Sequence, residues 1–206
     1  MAKNFASLAF SDEVKLLQEK YGSRKGYERM ERQSVVDGLT EYEVDFIGKR
    51  DSFYMASIGE NGFPYIQHRG GPKGFIKVID VNTIAFLDFS GNKQFITVGN
   101  LVTHNKVSVI MVDYPARARL KMYARAERIE LNARPELLKL LTLEDYPAKP
   151  ERIMLLHIEA YDWNCPQHIS ARFTVEEIEE VLAPQREYIK KLELELKQFK
   201  SRQSGE

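Results

Sequence analysis

Three short segments carry side chains whose types and spacing could bind or react. The first, DFSGNKQFITVGNL from Asp88 to Leu101, ends an apolar strand at Ser90 and Gly91 and resumes with Asn92, Lys93 and Gln94, where the pattern predicts a helix start. Backbone N–H groups, a hydroxyl, two amides and an ammonium gathered at one spot suit a phosphate, because helix N-termini and lysine both favour anions. The plain structural alternative is a solvated turn with an asparagine cap. The second segment, QHRGGPKGFIKV, sets His68, Arg69, Lys73 and Lys77 around Gly70, Gly71 and Gly74 just ahead of a strand, and glycine permits close backbone approach to a ligand. In a small meander adjacent strand ends are neighbours, so Arg69 or Lys77 could converge with Lys93. Arg119 adds a third basic strand end: Leu120 and Met122 share one face, and Arg117, Arg119 and Lys121 the other.

The third segment is EAYDWNCPQHISARFT. Trp163 could cover a planar aromatic ligand while Asn164 and Gln167 hydrogen-bond its polar rim, with His168 and Arg172 close behind. The alternative is a buried tryptophan at the end of a core strand. Cys165 with His168 as base makes a poor nucleophile, since the two lie close in sequence across Pro166 with no acidic group to orient the histidine. His68, His104, His157 and His168 are not paired at metal-ligand spacing, so no metal is expected.

These segments need elements to position them. The opening stretch to about Arg32 reads as polar, helical and loosely attached, with SDEVKLLQEKYG stopped at Gly22. Thr40 and Glu43 have capping-box spacing for a short helix with Val44 and Ile47 on its apolar face. From Ser52 the period changes. SFYMASI, FPYIQHR, GFIKVID and TIAFLDF are β-rich and separated by turn residues, which predicts a four-strand antiparallel meander. A helix-like NKQFITVGNLVTHN follows, then KVSVIMVDY, ARLKMYARAERIEL, a helical RPELLKLLTLED and a last strand, RIMLLHIEAYDW. About seven strands with helices inserted at two points imply a closed or nearly closed barrel, mainly β with peripheral helices. The tail opens with a second capping box at Thr174 and Glu177, and Pro184 is expected to kink or restart it. Ile189, Leu192, Leu196 and Phe199 form a stripe at helical spacing, expected to pack on its own domain or a sister subunit. A self-standing coiled coil is disfavoured because that stripe spans too few heptads.

Composition narrows the function classes. The chain has 206 residues, 43% of them apolar, enough for one sizeable core with terminal helical additions. Thirty basic and thirty acidic residues cancel, which argues against a general polyanion or nucleic-acid binder but leaves room for a local basic pocket. No apolar run approaches the roughly 20 residues needed to cross a bilayer. No signal segment is evident, so a cytoplasmic protein without membrane attachment is expected. The single cysteine forms no intramolecular disulfide, so redox chemistry would come from a cofactor.

The motifs PYIQHRGGPKGFIKV, FLDFSGNKQFITVGNL, VDYPARARLKMYARA and DWNCPQHISARFT, taken in this order, resemble the pyridoxamine 5'-phosphate oxidase-like, FMN-binding split-barrel superfamily. The likeness runs from about Tyr42 to Phe173 and is strongest to its branch of predicted flavin-nucleotide-binding proteins. The resemblance implies a six- to seven-stranded antiparallel split barrel over residues 39–173, with an N-terminal helical extension at 1–38 and a C-terminal helical tail at 174–206. It further implies a homodimer with FMN at the subunit interface. By position, Lys93 matches the family lysine on the FMN phosphate, with Asn92 and Gln94 beside it. Arg69, its neighbour His68 and Lys77 fall near the first cofactor-contacting segment. Phe86, Leu87 and Asp88 match the strand beside the flavin. Arg119 falls where a ring-contacting glutamine usually stands. Trp163 and Arg172 resemble residues supplied by the partner subunit, with Asn164 and Gln167 between them.

True pyridoxamine phosphate oxidases carry an arginine- and histidine-containing segment after the tryptophan. Here it reads Asn-Cys-Pro-Gln-His, which argues against vitamin B6 oxidation. The expectation is therefore an FMN-dependent oxidoreductase, with a reduced nicotinamide as possible donor and His68 as the one candidate acid or base. The alternative is a non-catalytic flavin carrier or sensor.

Overall fold

The computed structural model describes residues 4–33, 38–164 and 166–203, with the backbone alone at 33, 164 and 201–203. Helices α1 (Phe5–Ala9), α2 (Asp12–Lys20), α3 (Arg24–Gln33) and α4 (Glu41–Gly48) precede the strands. Strands β1 (Ser52–Ile58), β2 (Pro64–Gly70), β3 (Lys77–Asp80) and β4 (Thr83–Phe89) lead to α5 (Ile96–Thr103). Then come β5 (Lys106–Asp113), β6 (Ala118–Glu130), α6 (Pro135–Leu141), β7 (Pro150–Asn164) and α7 (Val175–Gln203). By packing the chain divides into two units, one holding α1 to β7 and the other α7 with the turn Tyr114–Arg117.

The strands form one seven-stranded antiparallel sheet in the order β2-β1-β5-β6-β7-β4-β3, the split barrel with peripheral helices that the sequence implies. The four-strand meander is not formed. β1 pairs with β2 and β3 with β4, but β5 inserts beside β1, and the two hairpins end up at opposite ends of the sheet order. Short turns fix the hairpins, whereas nothing local fixes which hairpin lies beside which. β3 is also shorter than its apolar segment suggests: Phe75 and Ile76 are buried ahead of the strand.

Alternation explains the core. In β1, Phe53, Met55 and Ser57 point inward while Tyr54 and Ile58 stay exposed. β4 differs, being buried from Thr83 to Asp88 on both faces. Ile84 and Phe86 join the barrel core with Met55, Met111 and Leu120. Ala85 and Leu87 pack on the other side with Leu141 of α6 and Ile153. Each fully buried side chain of Phe86's size contributes about 1.5–3 kcal/mol, so this double burial anchors β4 in both cores.

Both capping boxes form. Thr40 and Glu43 start α4. At Thr174 the backbone N–H donates to Glu177 Oε2 at 2.9 Å, and Thr174 Oγ1 accepts from the Glu177 N–H at 3.2 Å. On α4, however, Phe46 and Ile47 are buried and Val44 is exposed. The opening segment is not loosely attached throughout: Phe5 of α1 stacks on Tyr123 of β6 with centroids 4.7 Å apart, and Ala6 is fully buried. α7 runs unbroken through Pro184 for 29 residues.

Candidate functional site

β2 is an end strand of the sheet, and its alternation sorts the basic segment onto two faces. Tyr65, Gln67 and Arg69 line a pocket of about 250 Å³. Ile66 and His68 project to the opposite, exposed face, where His68 meets the edge of Tyr54 at 5.4 Å. The far wall of the pocket is the end of β4 with the loop that follows: Asp88, Phe89, Asn92, Lys93, Gln94 and Phe95. The first turn of α5 and Glu151 and Arg152 of β7 complete it.

The loop does not begin the helix as the sequence suggests. Lys93 (φ 58°) and Phe95 (φ 52°) both adopt left-handed backbone, which a side chain disfavours and which a helix cannot continue through. Asn92 Oδ1 instead accepts the Gln94 N–H at 3.2 Å in a local turn, and α5 starts at Ile96. Phe95 offers no side-chain cap, so the first-turn N–H groups of α5 border the pocket without one. Thr97, buried in that turn, donates through Oγ1 to Gln67 Oε1 at 2.7 Å and ties α5 to β2.

Charge is concentrated on the floor. Asp88, only 3% exposed, accepts from Arg69 through one oxygen and from Arg152 Nη1 through the other, the latter at 2.6 Å. Arg152 also pairs with Glu151 at 2.8 Å. Two carboxylates therefore balance two guanidiniums, and Lys93 is the surplus positive charge. Arg69 Nε is buried and makes no hydrogen bond. A buried guanidinium N–H without an acceptor is costly, and this one belongs to a residue lining an uncapped helix start and a lysine. The donor set fits a phosphate monoester: two cationic side chains, the amides of Asn92 and Gln94, and backbone N–H groups.

Other residues singled out in the sequence lie elsewhere. Lys77 opens β3 opposite Ala85 and does not line the pocket. Phe86 and Leu87 belong to the two cores. Arg119 lies in β6 opposite Val112 and Asn164, outside the pocket lining. Trp163 is half-buried near the end of β7, packed against the barrel core. Its indole N–H donates to Glu43 Oε1 at 2.7 Å, and its ring packs against Phe46 and Tyr42 of α4 at 4.7 and 4.9 Å. Burial pushes the Glu43 carboxyl up, but hydrogen bonds from Thr40, Trp163 and backbone amides outweigh it and hold its pKa below the usual value. Burial, with Glu43 beside it, pushes the Tyr161 hydroxyl up to about 12. Gln167 and Arg172 are in the second unit, where Arg172 lies over the Tyr114 ring at 5.0 Å. Cys165 and the Asn164 side chain lie outside the described residues.

Arg152 lies outside the motifs that the sequence marks, and Gln67 and Thr97 lie within them but apart from their candidate binding residues. The inward set Tyr65, Gln67 and Arg69 was available from strand alternation, whereas Arg152 arrives from 64 residues beyond Asp88 and leaves no local signal.

The sequence profile described as pyridoxamine 5'-phosphate oxidase matches residues 39–162, more than half of the chain. The chain belongs to this family. Its matched region runs from just before α4 nearly to the end of β7 and includes every pocket-lining residue. Among solved structures, the chain is similar to HupZ of Group A Streptococcus, at 17% identity over 66% of this chain and 99% of that one, with a TM-score of 0.50. An FMN-binding protein from Syntrophomonas wolfei subsp. wolfei is 11% identical over 72% and 97% of the two chains, with a TM-score of 0.46. A Clostridium acetobutylicum protein related to general stress protein 26 of B. subtilis (pyridoxinephosphate oxidase family) is 17% identical over 66% and 94%, with a TM-score of 0.44. At these identities the likeness bears on the fold alone. No curated protein matches the chain. None of the described helices is long and apolar enough to cross a membrane.

Proposed function

We propose that this member of the pyridoxamine 5'-phosphate oxidase family is an FMN-binding protein whose pocket at the β2, β4 and α5 junction takes the cofactor's phosphate. The observation that carries the reading is the buried, unpartnered Nε of Arg69 beside Lys93 and the uncapped start of α5. In this assignment Lys93 supplies the unbalanced charge, Arg69 and the Asn92 and Gln94 amides supply directed donors, and Asp88 with Arg152 holds Arg69 in place. Bound flavin would supply hydride or electron transfer, and the protein supplies binding and orientation. A flavin-dependent oxidoreductase using a reduced nicotinamide donor is the proposed activity. The Asn-Cys-Pro-Gln-His segment speaks against pyridoxamine phosphate as substrate.

The size of the pocket supports a dimer. At about 250 Å³ it is smaller than the roughly 300–1,000 Å³ of sites that enclose a whole ligand. It suits the phosphate end, and the ring would need cover from a second subunit. We assign cofactor binding to residues 39–173, with 1–38 and 174–206 as additions.

A second reading is a flavin carrier or sensor without catalysis: the one candidate acid or base, His68, projects from the face of β2 opposite the phosphate pocket. The visible absorption spectrum of the purified protein tests the main reading. Flavin bands that Lys93→Ala abolishes support it, and a colourless protein that takes up no added FMN overturns it. A screen of nicotinamide oxidation by the flavin-loaded protein then separates enzyme from carrier.

A further inference from the structure

Helix α7 leaves a long apolar seam uncovered. The stripe read from the sequence over Ile189, Leu192, Leu196 and Phe199 continues in the same 3–4 spacing back through Leu182, Ile178 and Val175, interrupted only by Gln185. Seven-residue spacing sustained along a helix is the pattern of a coiled-coil seam, and it covers most of α7. Along the seam Val175 is 67% exposed, Ile189 53%, Leu196 53% and Phe199 59%. At 1.5 Å per residue the 29 residues extend about 43 Å, and helices in proteins draw most of their stability from packing of an apolar face rather than from propensity. Pro184, which removes a helical hydrogen bond, falls on the face away from the seam.

The charges identify the occupant. The first half of α7 is acidic, with Glu176, Glu177, Glu179 and Glu180, and the second half is net basic, with Lys190, Lys191, Lys197, Lys200 and Arg202 against Glu193 and Glu195. A parallel second copy would set acid against acid, whereas an antiparallel one sets acid against base. The positions flanking the seam agree. With Ile189 opposite Leu192, Glu179 faces Lys200 and Arg186 faces Glu193 on the two-fold-related helix, all attractive. In a parallel pair Arg186 would face Val181 and Glu193 would face Tyr188. Gln185 then lies opposite Leu196. A one-heptad shift in either direction sets Arg186 against Arg186 or Lys200 and Glu193 against Glu179 or Glu193, so the flanking charges select this register. Antiparallel packing also opposes the two helix dipoles favourably.

We propose that α7 pairs with α7 of a second copy of this chain as an antiparallel two-stranded coiled coil, in the register that sets Ile189 opposite Leu192. This inference goes beyond the flavin reading and does not depend on it.

Pulsed electron–electron spin resonance on the full chain tests it, with one nitroxide at Glu180→Cys in a Cys165→Ser background. In the proposed register residue 180 lies opposite residue 201 of the second copy, so the two backbones are about 33 Å apart and the outward-facing labels should give one narrow distance of about 35–40 Å. A narrow distance under about 30 Å means a parallel pair and overturns the proposal, as does a broad distribution without a defined peak. Leu192→Asp should abolish the narrow peak. Arg186→Glu should weaken pairing about tenfold by placing like charges opposite each other, and adding Glu193→Arg should restore it. Arg186→Glu also gains a favourable pairing with Lys190 within its own helix, so lost pairing is not lost helicity, and circular dichroism checks this. A distance indifferent to Leu192→Asp and to the charge swap would show α7 held by something other than its copy and would overturn the proposal.

Discussion

Arg69 on β2 and Asp88 on β4 form an ion pair although their strands lie near opposite ends of the sheet order. The curl of the sheet brings them together, and Arg152 from β7 holds the second oxygen of the same carboxylate. One buried acid thus joins three strands and forms the floor of the candidate phosphate pocket. Breaking a buried pair by removing one partner leaves an uncompensated charge and costs about 3–5 kcal/mol. Asp88→Ala should therefore lower the urea unfolding midpoint by that equivalent with an unchanged slope, and a loss below about 1 kcal/mol would mean that the trio does not hold the strands.

Lys93 is exposed and makes no ion pair among the described residues, so its removal should barely affect folding. Lys93→Ala should stay within about 0.5 kcal/mol of the parent in stability. FMN affinity should drop about 10- to 100-fold, the equivalent of one charged hydrogen bond. Lys93→Gly should lose the same affinity without loss of stability, because glycine adopts φ 58° freely. Flavin titration and chemical denaturation of the two variants provide the check.

Glu43 gives the fold an acid-side dependence. Its folded pKa is lowered, so its stabilising contribution is present above the unfolded value of about 4.3 and is lost as pH falls through the folded value. Glu43→Gln should flatten that part of the stability profile. It should also lower stability near neutrality, because an amide replaces the acceptor of Thr40, Tyr161 and Trp163.

Tyr161 works at the other end. Its hydroxyl donates to the Gly38 carbonyl at 2.9 Å and its folded pKa is raised from 10.0 to about 12. Stability from this group is complete below pH 10 and should fall as pH rises from 10 through 12. Tyr161→Phe should remove that slope and cost about 1–2 kcal/mol at neutral pH by leaving the carbonyl without its donor. An unchanged alkaline slope in the variant would assign the effect to other groups.

Gly38 sits at φ 100°, and a Cβ there would lie 2.7 Å from the Val81 carbonyl oxygen. The adjoining Leu39 N–H donates to that same oxygen at 2.6 Å. Gly38→Ala should cost more than about 1 kcal/mol in thermal or chemical unfolding.

The elements most legible in the sequence were those with a complete local code. β1 and β4 match their alternating or continuously apolar segments, and both capping boxes form where Thr-x-x-Glu predicted them. The family and the barrel were legible from the motifs. What the sequence hid was long-range. The hairpins were in view but the insertion of β5 beside β1 was not, because strand pairing across the chain is decided by total burial rather than by any turn. The alternation of β2 put Arg69 and His68 on opposite faces, a consequence that the simple proximity of two neighbours conceals. The packing of Trp163 on α4 was hidden because its partner Glu43 lies 120 residues away.

The attachment of Trp163 to α4 has a spectroscopic consequence. It is the only tryptophan in the chain, so the protein's intrinsic fluorescence is a single-site signal. Because the indole is hydrogen-bonded to Glu43 and packed against Phe46 and Tyr42, its emission wavelength reports whether α4 is seated on the end of β7. A red shift that precedes the loss of far-ultraviolet circular dichroism on acidification would mark this joint opening while the sheet remains intact.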